Sequence, residues 1–300
     1  MIDLHLHTVF SDGSIVDIKK ITQFCDIISI TDHNTLRGFH YFNKYAHDKK
    51  VIMGCEVTVD KDPDYLVYFL NTKDYYSIEK QLEKIRLTEE DVIKKCYNSL
   101  GYNQWERDLK CAFPPGQKIK NARTRDLAAI IHLYKNGMKY DNGYFDMDDL
   151  KVARLQRSLY FENYGRIFPN NYAFVIAKMY KCKIVLAHPI HTAIKRSKSL
   201  IFDVDTVIQE LELLIQQFIE QGGKFLEWEY FSIKDSLKYG FNLDELKKIR
   251  NVIIKHAERN NLQYTIGSDS HSLDDYEEVL KWLPICDKRI KSNIASWITQ

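Results

Sequence analysis

Histidine and carboxylate side chains recur along this chain at places where they could share a divalent cation. His5 and His7 stand two residues apart where Met1 to Leu6 reads as a strand. Strand side chains alternate faces, so both imidazoles point to one side. Two imidazoles a few ångströms apart make half of a metal site. Asp12 follows in a Ser-Asp-Gly turn, where Gly13 lets the backbone bend back. Further on, Asp32-His33 comes directly after the apolar run Ile27 to Ile30, and Glu56 sits within the run Val51 to Val59. His188 follows Lys183 to Ala187, and Asp269 and His271 follow Gln263 to Ile266. Singly, each residue also reads as a surface histidine or a helix-capping aspartate. The set is not explained that way, because the ends of parallel strands share one face, where active sites form.

The chemistry implied is hydrolysis. Divalent ions held by imidazole and carboxylate lower the pKa of a bound water, making hydroxide available near neutral pH. Two ions roughly 3.5–4 Å apart can share it and bind phosphoryl oxygens. An arginine would offset the charge that grows on the attacked group. No serine or cysteine nucleophile is needed. The mixed nitrogen and oxygen donors suit manganese, iron or zinc better than calcium.

The elements that must position these residues alternate. After the first strand, Ile15 to Phe24 predicts an amphipathic helix with Ile15, Ile18, Ile21 and Phe24 on one face. Ile27 to Ile30 predicts a buried strand and Leu36 to Lys49 a helix. Val51 to Val59 and Tyr65 to Leu70 predict two further strands around an Asp-rich turn. Such repetition argues for a parallel sheet or barrel. From about residue 75 to 170 the chain turns charged and helical, with helices predicted over Ile78 to Leu87, Glu89 to Leu100 and Thr124 to Lys135. Turn signals interrupt it at Pro114-Pro115-Gly116 and Asp141-Asn142-Gly143. The alternating rhythm then resumes with Tyr172 to Tyr180, Lys183 to Ala187, Val204 to Gln221, Phe225 to Tyr230, Leu243 to Asn260 and Gln263 to Ile266. The domain reading is therefore a barrel from 1–74 and 171–300 with a helical insertion at 75–170.

The 300 residues are 45% hydrophobic and 28% charged, with a net charge of +2. That balance argues against wrapping nucleic acid, and no stable nucleic-acid partner is expected. The six cysteines, Cys25, Cys55, Cys96, Cys111, Cys182 and Cys286, include no CxxC pair, so they read as reduced, buried thiols. The N-terminus carries acid and histidine where a signal peptide needs a basic start and an apolar run. No apolar stretch reaches the ~20 residues of a membrane span. A cytoplasmic location is expected.

DLHLHTVFSDGS from Asp3, SITDHNT from Ser29, the Gly54-Cys55-Glu56-Val57 strand, AHP at Ala187 and GSDSH at Gly267 together resemble the successive motifs of the PHP (polymerase and histidinol phosphatase) superfamily. The five occur in the family's order. The resemblance implies a distorted seven-stranded β/α barrel with a trinuclear metal site, and hydrolysis of phosphate esters. It implies that His5, His7, Glu56 and Asp269 hold the first ion and that Asp12, His33 and His271 hold the third. Glu56 would bridge to the second, which His188 would also bind. Asp32 would fix the tautomer or orientation of a neighbouring imidazole. One position departs from the family: Leu66 stands where a histidine ligand is expected. The second ion would then be weakly held, absent, or bound by a substitute such as Tyr68 or Asp64, leaving two firm ions and a third in doubt.

The insertion resembles that of the family's small-nucleotide phosphatases and 5′-end ribonucleases. NARTRDLA, from Asn121, is similar to a helix start there, from which Arg125 could grip a phosphate, although a surface arginine at a helix N-terminus would look the same. Arg37 could also reach the site, or form an ion pair on the rim. His191, three residues after His188, could approach the substrate. Glu227 and Glu229 are placed so that one of them could face the barrel mouth. His40, His47, His132 and His256 read as surface or packing residues. The expected activity is hydrolysis of a small phosphorylated metabolite, a nucleotide first. A histidinol-phosphate-type phosphatase, a 5′ exonuclease on short oligonucleotides and a non-catalytic metal-binding module are the competing readings.

Overall fold

Seven short apolar runs become the seven strands of one sheet in a computed structural model of the chain. The structure describes residues 1–16, 18–46, 48–58, 63–113, 124–139, 144–164, 168, 171–197, 203–229, 240–282 and 293–299. The strands are β1 (Ile2–Asp3), β2 (Ile27–Ile30), β3 (Lys50–Val57), β4 (Tyr65–Phe69), β5 (Lys183–Leu186), β6 (Phe225–Glu229) and β7 (Gln263–Gly267). They lie side by side in chain order. The chain after β1 then pairs with β7 and the segment after it: Leu4 N donates to Ile266 O at 2.8 Å, Asp269 N to His5 O at 2.9 Å and His7 N to Ser270 O at 3.0 Å. The sheet thereby closes nearly into a barrel, the expected α/β class.

β4 is the exception in an otherwise parallel sheet. It runs antiparallel to both β3 and β5. Only residues 58–64 join β3 to β4, and a parallel crossover needs a dozen or more. All other neighbouring pairs are parallel. The barrel is filled. Tyr68 of β4 donates its hydroxyl to Leu4 O, beside β1, at 2.7 Å across the interior. Leu4, Leu66, Tyr68, Val185 and Trp297 pack there as one buried cluster.

The long helix after β6, Leu243–Asn260, matches its sequence reading because its start is locally coded. The Asn242 side chain accepts from Asp244 N and Glu245 N, and the Glu245 side chain returns to Asn242 N. The early helices are shorter than expected. Ile15 to Phe24 yields a helix only at Lys19–Thr22, since Ile15 bridges to Thr8 and Phe24 is exposed. Leu36 to Lys49 yields Arg37–Phe42 and a 3-10 turn at Asn43–Tyr45. Conversely, the two helices expected from Ile78 and Glu89 are one, Tyr75–Ser99, because no glycine or proline lies between them.

Two compact units are present: Met1–Glu79 with Asn170–Gln300, and Lys80–Pro169. The second has its own core, in which Ile93, Tyr97, Leu127, Ile130 and Ala153 are buried. Its aromatic residues are largely core: Tyr102 stacks on Tyr134 and Trp105 meets Tyr97 edge-on. His132 pairs with the buried Asp149 at 2.7 Å, and Lys135 joins them, as a buried carboxylate requires. The five cysteines among the described residues are not in disulfides. Cys286, His47, Tyr230, the two expected insertion turns and Asn121-Ala122-Arg123 lie outside the described residues. Among those described, no helix is long and apolar enough to cross a membrane.

Candidate metal centre

The segments that leave β1, β2, β3, β5 and β7 at one end of the barrel bring the predicted residues together. Past β1, the extended chain turns His5 and His7 inward, and their Nε2 atoms are 3.0 Å apart. Asp269 Oδ1, after β7, lies 3.3 Å from each. Glu56, near the end of β3, places Oε2 3.4 Å from His5 Nε2, 3.1 Å from His7 Nε2 and 3.1 Å from His33 Nδ1. Its other oxygen, Oε1, is 2.9 Å from His188 Nε2, after β5. Asp12 faces the outer side of the cluster, 3.4 Å from His33 Nε2, 3.5 Å from His271 Nε2 and 3.6 Å from His7 Nδ1. The His7 ring is stacked between those of His33 and His271.

Three overlapping groups of donor atoms result: His5, His7 and Asp269; His7, Asp12, His33 and His271; and Glu56, Asp64 and His188. Glu56 touches residues of all three. This donor set fits divalent metal ions. His5, His7 and Glu56 are essentially inaccessible to solvent. Two buried imidazole nitrogens aimed at one point beside two carboxylates need a cation there, either protons or a metal ion.

The electrostatics show the same demand. Burial works against charge on His7, yet the Asp269 and Glu56 carboxylates outweigh it and raise its pKa to about 10. At His188 burial is likewise outweighed by Glu56, and the pKa reaches about 9. Burial would raise Glu56 and Asp269, but the facing imidazoles hold both well below the usual carboxylate range.

Glu227, on β6, orients the ligands. Its Oε1 is 2.8 Å from His5 Nδ1, and its Oε2 accepts the His188 backbone N–H at 2.7 Å. That leaves His5 Nε2 facing the cluster. Gly267 makes room, since a Cβ there would lie 2.1 Å from Glu227 Oε1 and 2.5 Å from His5 Cβ. Gly13 is needed for the same kind of reason: a Cβ there would lie 2.4 Å from His7 O. Thr58 sits 2.8 Å from His33 Nδ1 and Thr192 3.4 Å from His188 Nδ1. No sequence signal marked Thr58 or Thr192. Glu227 was visible only as one of two carboxylates on one face of β6, and its contacts with His5 Nδ1 and the His188 N–H single it out.

Asp32 differs from its expected role. It is buried, and its oxygens accept from Thr8 N, Thr8 Oγ1 and Ser11 Oγ, each at 2.7 Å. It therefore holds the loop between His7 and Asp12, and it approaches His7 through Ser11, whose Oγ is 3.4 Å from His7 Nδ1. His191 lies half-buried on the helix Pro189–Ser197, edge-on to the His188 ring at 5.7 Å. Arg37 pairs with Glu79 at 3.4 Å. Arg125 is exposed at the second position of Thr124–Lys135, in the second unit. Leu66 is fully buried.

The barrel, parallel except for one antiparallel strand, is similar in fold to two solved structures. One is a protein from Bifidobacterium adolescentis provisionally described as a metal-dependent phosphoesterase. It is 19% identical, with a TM-score of 0.57, over 93% of this chain and 95% of that one. The other is an amidohydrolase from Chromobacterium violaceum, solved with bound sulfate and no metal. It is 18% identical, with a TM-score of 0.54, over 90% of this chain and 87% of that one. At these identities the likeness is one of fold. No family model and no curated protein matches the chain.

Proposed function

We propose that the chain is a metal-dependent phosphoesterase that releases phosphate from a small phosphorylated metabolite, with a nucleoside monophosphate or bisphosphate as the first substrate to test. The observation that carries this reading is Glu56, one buried carboxylate within 3.4 Å of His5, His7, His33 and His188. A carboxylate so placed can bridge ions and set their spacing. His5, His7, Glu56 and Asp269 would hold one ion, and Asp12, His33 and His271 another. His188 and Glu56 would hold a third between them. Bound ions would supply Lewis acidity toward the phosphoryl oxygens and a water of lowered pKa. Manganese, iron and zinc all suit these donors.

The chain's own groups do the rest. Glu227 keeps the His5 lone pair turned to the cluster, and Asp32 holds the loop that carries Asp12. His191, beside His188, is proposed to contact the phosphate. The description of the Bifidobacterium protein supports a phosphoester, and the sulfate in the Chromobacterium protein has the charge and shape of a phosphoryl group. The name of the latter protein favours amide hydrolysis as a second reading.

Purified full-length protein, loaded separately with manganese, iron and zinc, should be assayed on an aryl phosphate, nucleoside mono- and bisphosphates, histidinol phosphate, a short 5′-phosphorylated RNA and an aryl amide. Phosphate release, greatest from a nucleotide, is expected. Turnover of the amide alone would replace the reading. Bound metal without turnover of any substrate would favour a non-catalytic metal-binding module.

A further inference from the structure

We infer that Asp64 supplies the donor that Leu66 cannot, as the third protein ligand of the ion held by Glu56 and His188, an inference that rests on the metal-centre reading above. In the antiparallel pair of β3 and β4, Glu56 stands directly opposite Leu66. Directly opposed residues point to the same face, so Leu66 points as Glu56 does. Its side chain is fully buried in the apolar cluster with Leu4, Tyr68 and Val185 and offers no donor atom. Tyr68, two residues deeper, has its hydroxyl on Leu4 O at 2.7 Å. The period of two carries the same face the other way, to Asp64.

Because β4 runs antiparallel, its first residues lie at the mouth, beside the ends of β3 and β5. Asp64 O accepts the Ala187 N–H at 3.2 Å, which fixes it next to His188. Asp64 Oδ2 is 3.8 Å from His188 Nε2, the same nitrogen that lies 2.9 Å from Glu56 Oε1. One donor atom from each of the three residues lies within 4.8 Å of the others. The histidine lost at position 66 is thus answered by a carboxylate one pleat nearer the mouth. Two carboxylates and one imidazole make a harder site than one carboxylate and two imidazoles, so Asp64 in place of a histidine should shift this ion's relative preference from zinc toward manganese or magnesium.

The test counts ions. Full-length protein stripped with a chelator is titrated with Mn²⁺ alone and the bound ions are counted by mass spectrometry after gel filtration, for wild type, Asp64→Asn, Asp64→His, His188→Ala and Asp64→Asn with His188→Ala. Asp64 has a side chain 22% exposed, and asparagine keeps its shape, so the fold is retained. Expected are the loss of one ion, or a tenfold or greater weakening of its binding, in Asp64→Asn, and no further loss in the double variant. Asp64→His should keep the ion count and shift preference toward Zn²⁺. If wild type binds Mn²⁺ and Asp64→Asn binds the same number equally tightly, the role of Asp64 is overturned and the metal centre stands. If wild type binds no ion, both fail.

Discussion

Replacing Glu227 by glutamine should weaken metal binding although Glu227 need touch no ion. The carboxylate is fully buried and accepts at both oxygens, with His5 Nδ1 at 2.8 Å and the His188 N–H at 2.7 Å. Glutamine has the same shape but a single oxygen, so its NH₂ must face one of two donors. Turned to His5, it forces the ring proton onto Nε2, the atom that points at His7, Glu56 and Asp269. Turned to His188, it leaves a buried backbone N–H without its acceptor. Either arrangement forfeits one buried hydrogen bond to a charged group, about 1.5–3 kcal/mol. At ~1.4 kcal/mol per tenfold this is roughly a 10- to 100-fold loss of affinity, the range typical of groups that orient metal ligands. Chelator-stripped wild type and Glu227→Gln should be titrated with Mn²⁺ against a competing fluorescent chelator near neutral pH. A folded variant with unchanged affinity would refute the role of Glu227 in setting the His5 tautomer.

Four further outcomes are expected. His7→Ala and Asp269→Ala should each abolish phosphate release while circular dichroism stays near wild type; wild-type rates in both would contradict the site assignment. Gly267→Ala should act like Glu227→Gln, because its Cβ would collide with Glu227 Oε1 and His5, and it should lower both the melting temperature and the metal affinity. Stability of the metal-free protein should fall with rising pH. His7 and His188 have folded pKa values of about 10 and about 9 against an ordinary 6.5, so the stability they contribute is full below 6.5 and is lost as pH rises through 9 to 10. Urea melts of the stripped protein across that window test this, and a flat profile would count against it. Metal ions compete with the same protons, so ion affinity should rise with pH over the same interval, as isothermal titration can measure.

What the sequence shows of this molecule follows the length scale of each signal. The strands after residue 170 were readable because apolar runs, glycines and caps coincide there, as at Asn242 before Leu243–Asn260. The direction of β4 was not, since direction depends on what a short connection can span. Among the site residues, His5 and His7 declare their geometry through spacing alone, whereas Asp12, Glu56, His188 and Asp269 are joined only by the closing of the sheet. The resemblance assigns the orienting role to Asp32, whereas the carboxylate at His5 Nδ1 is Glu227. Glu227 lies 222 residues from His5 and meets it only in three dimensions.

The backbone at these strand ends is itself held out of its usual range. His188 has φ 27° and Asp269 φ 54°, and Asn34, next to His33, has φ 53°. For a histidine this left-handed conformation is uncommon, and such strain persists only where the surroundings fix it. The fixing contacts are present: Glu227 takes the His188 N–H, His5 O takes the Asp269 N–H at 2.9 Å, and Glu56 O takes the Asn34 N–H at 2.8 Å. Each strained residue is therefore tied to a residue that also lines or orients the cluster. A strand end that ran on in extended geometry would carry its next side chain to the opposite face. The left-handed turn keeps His188 and Asp269 on the inner side, so the strain and the convergence of the ligands are one arrangement.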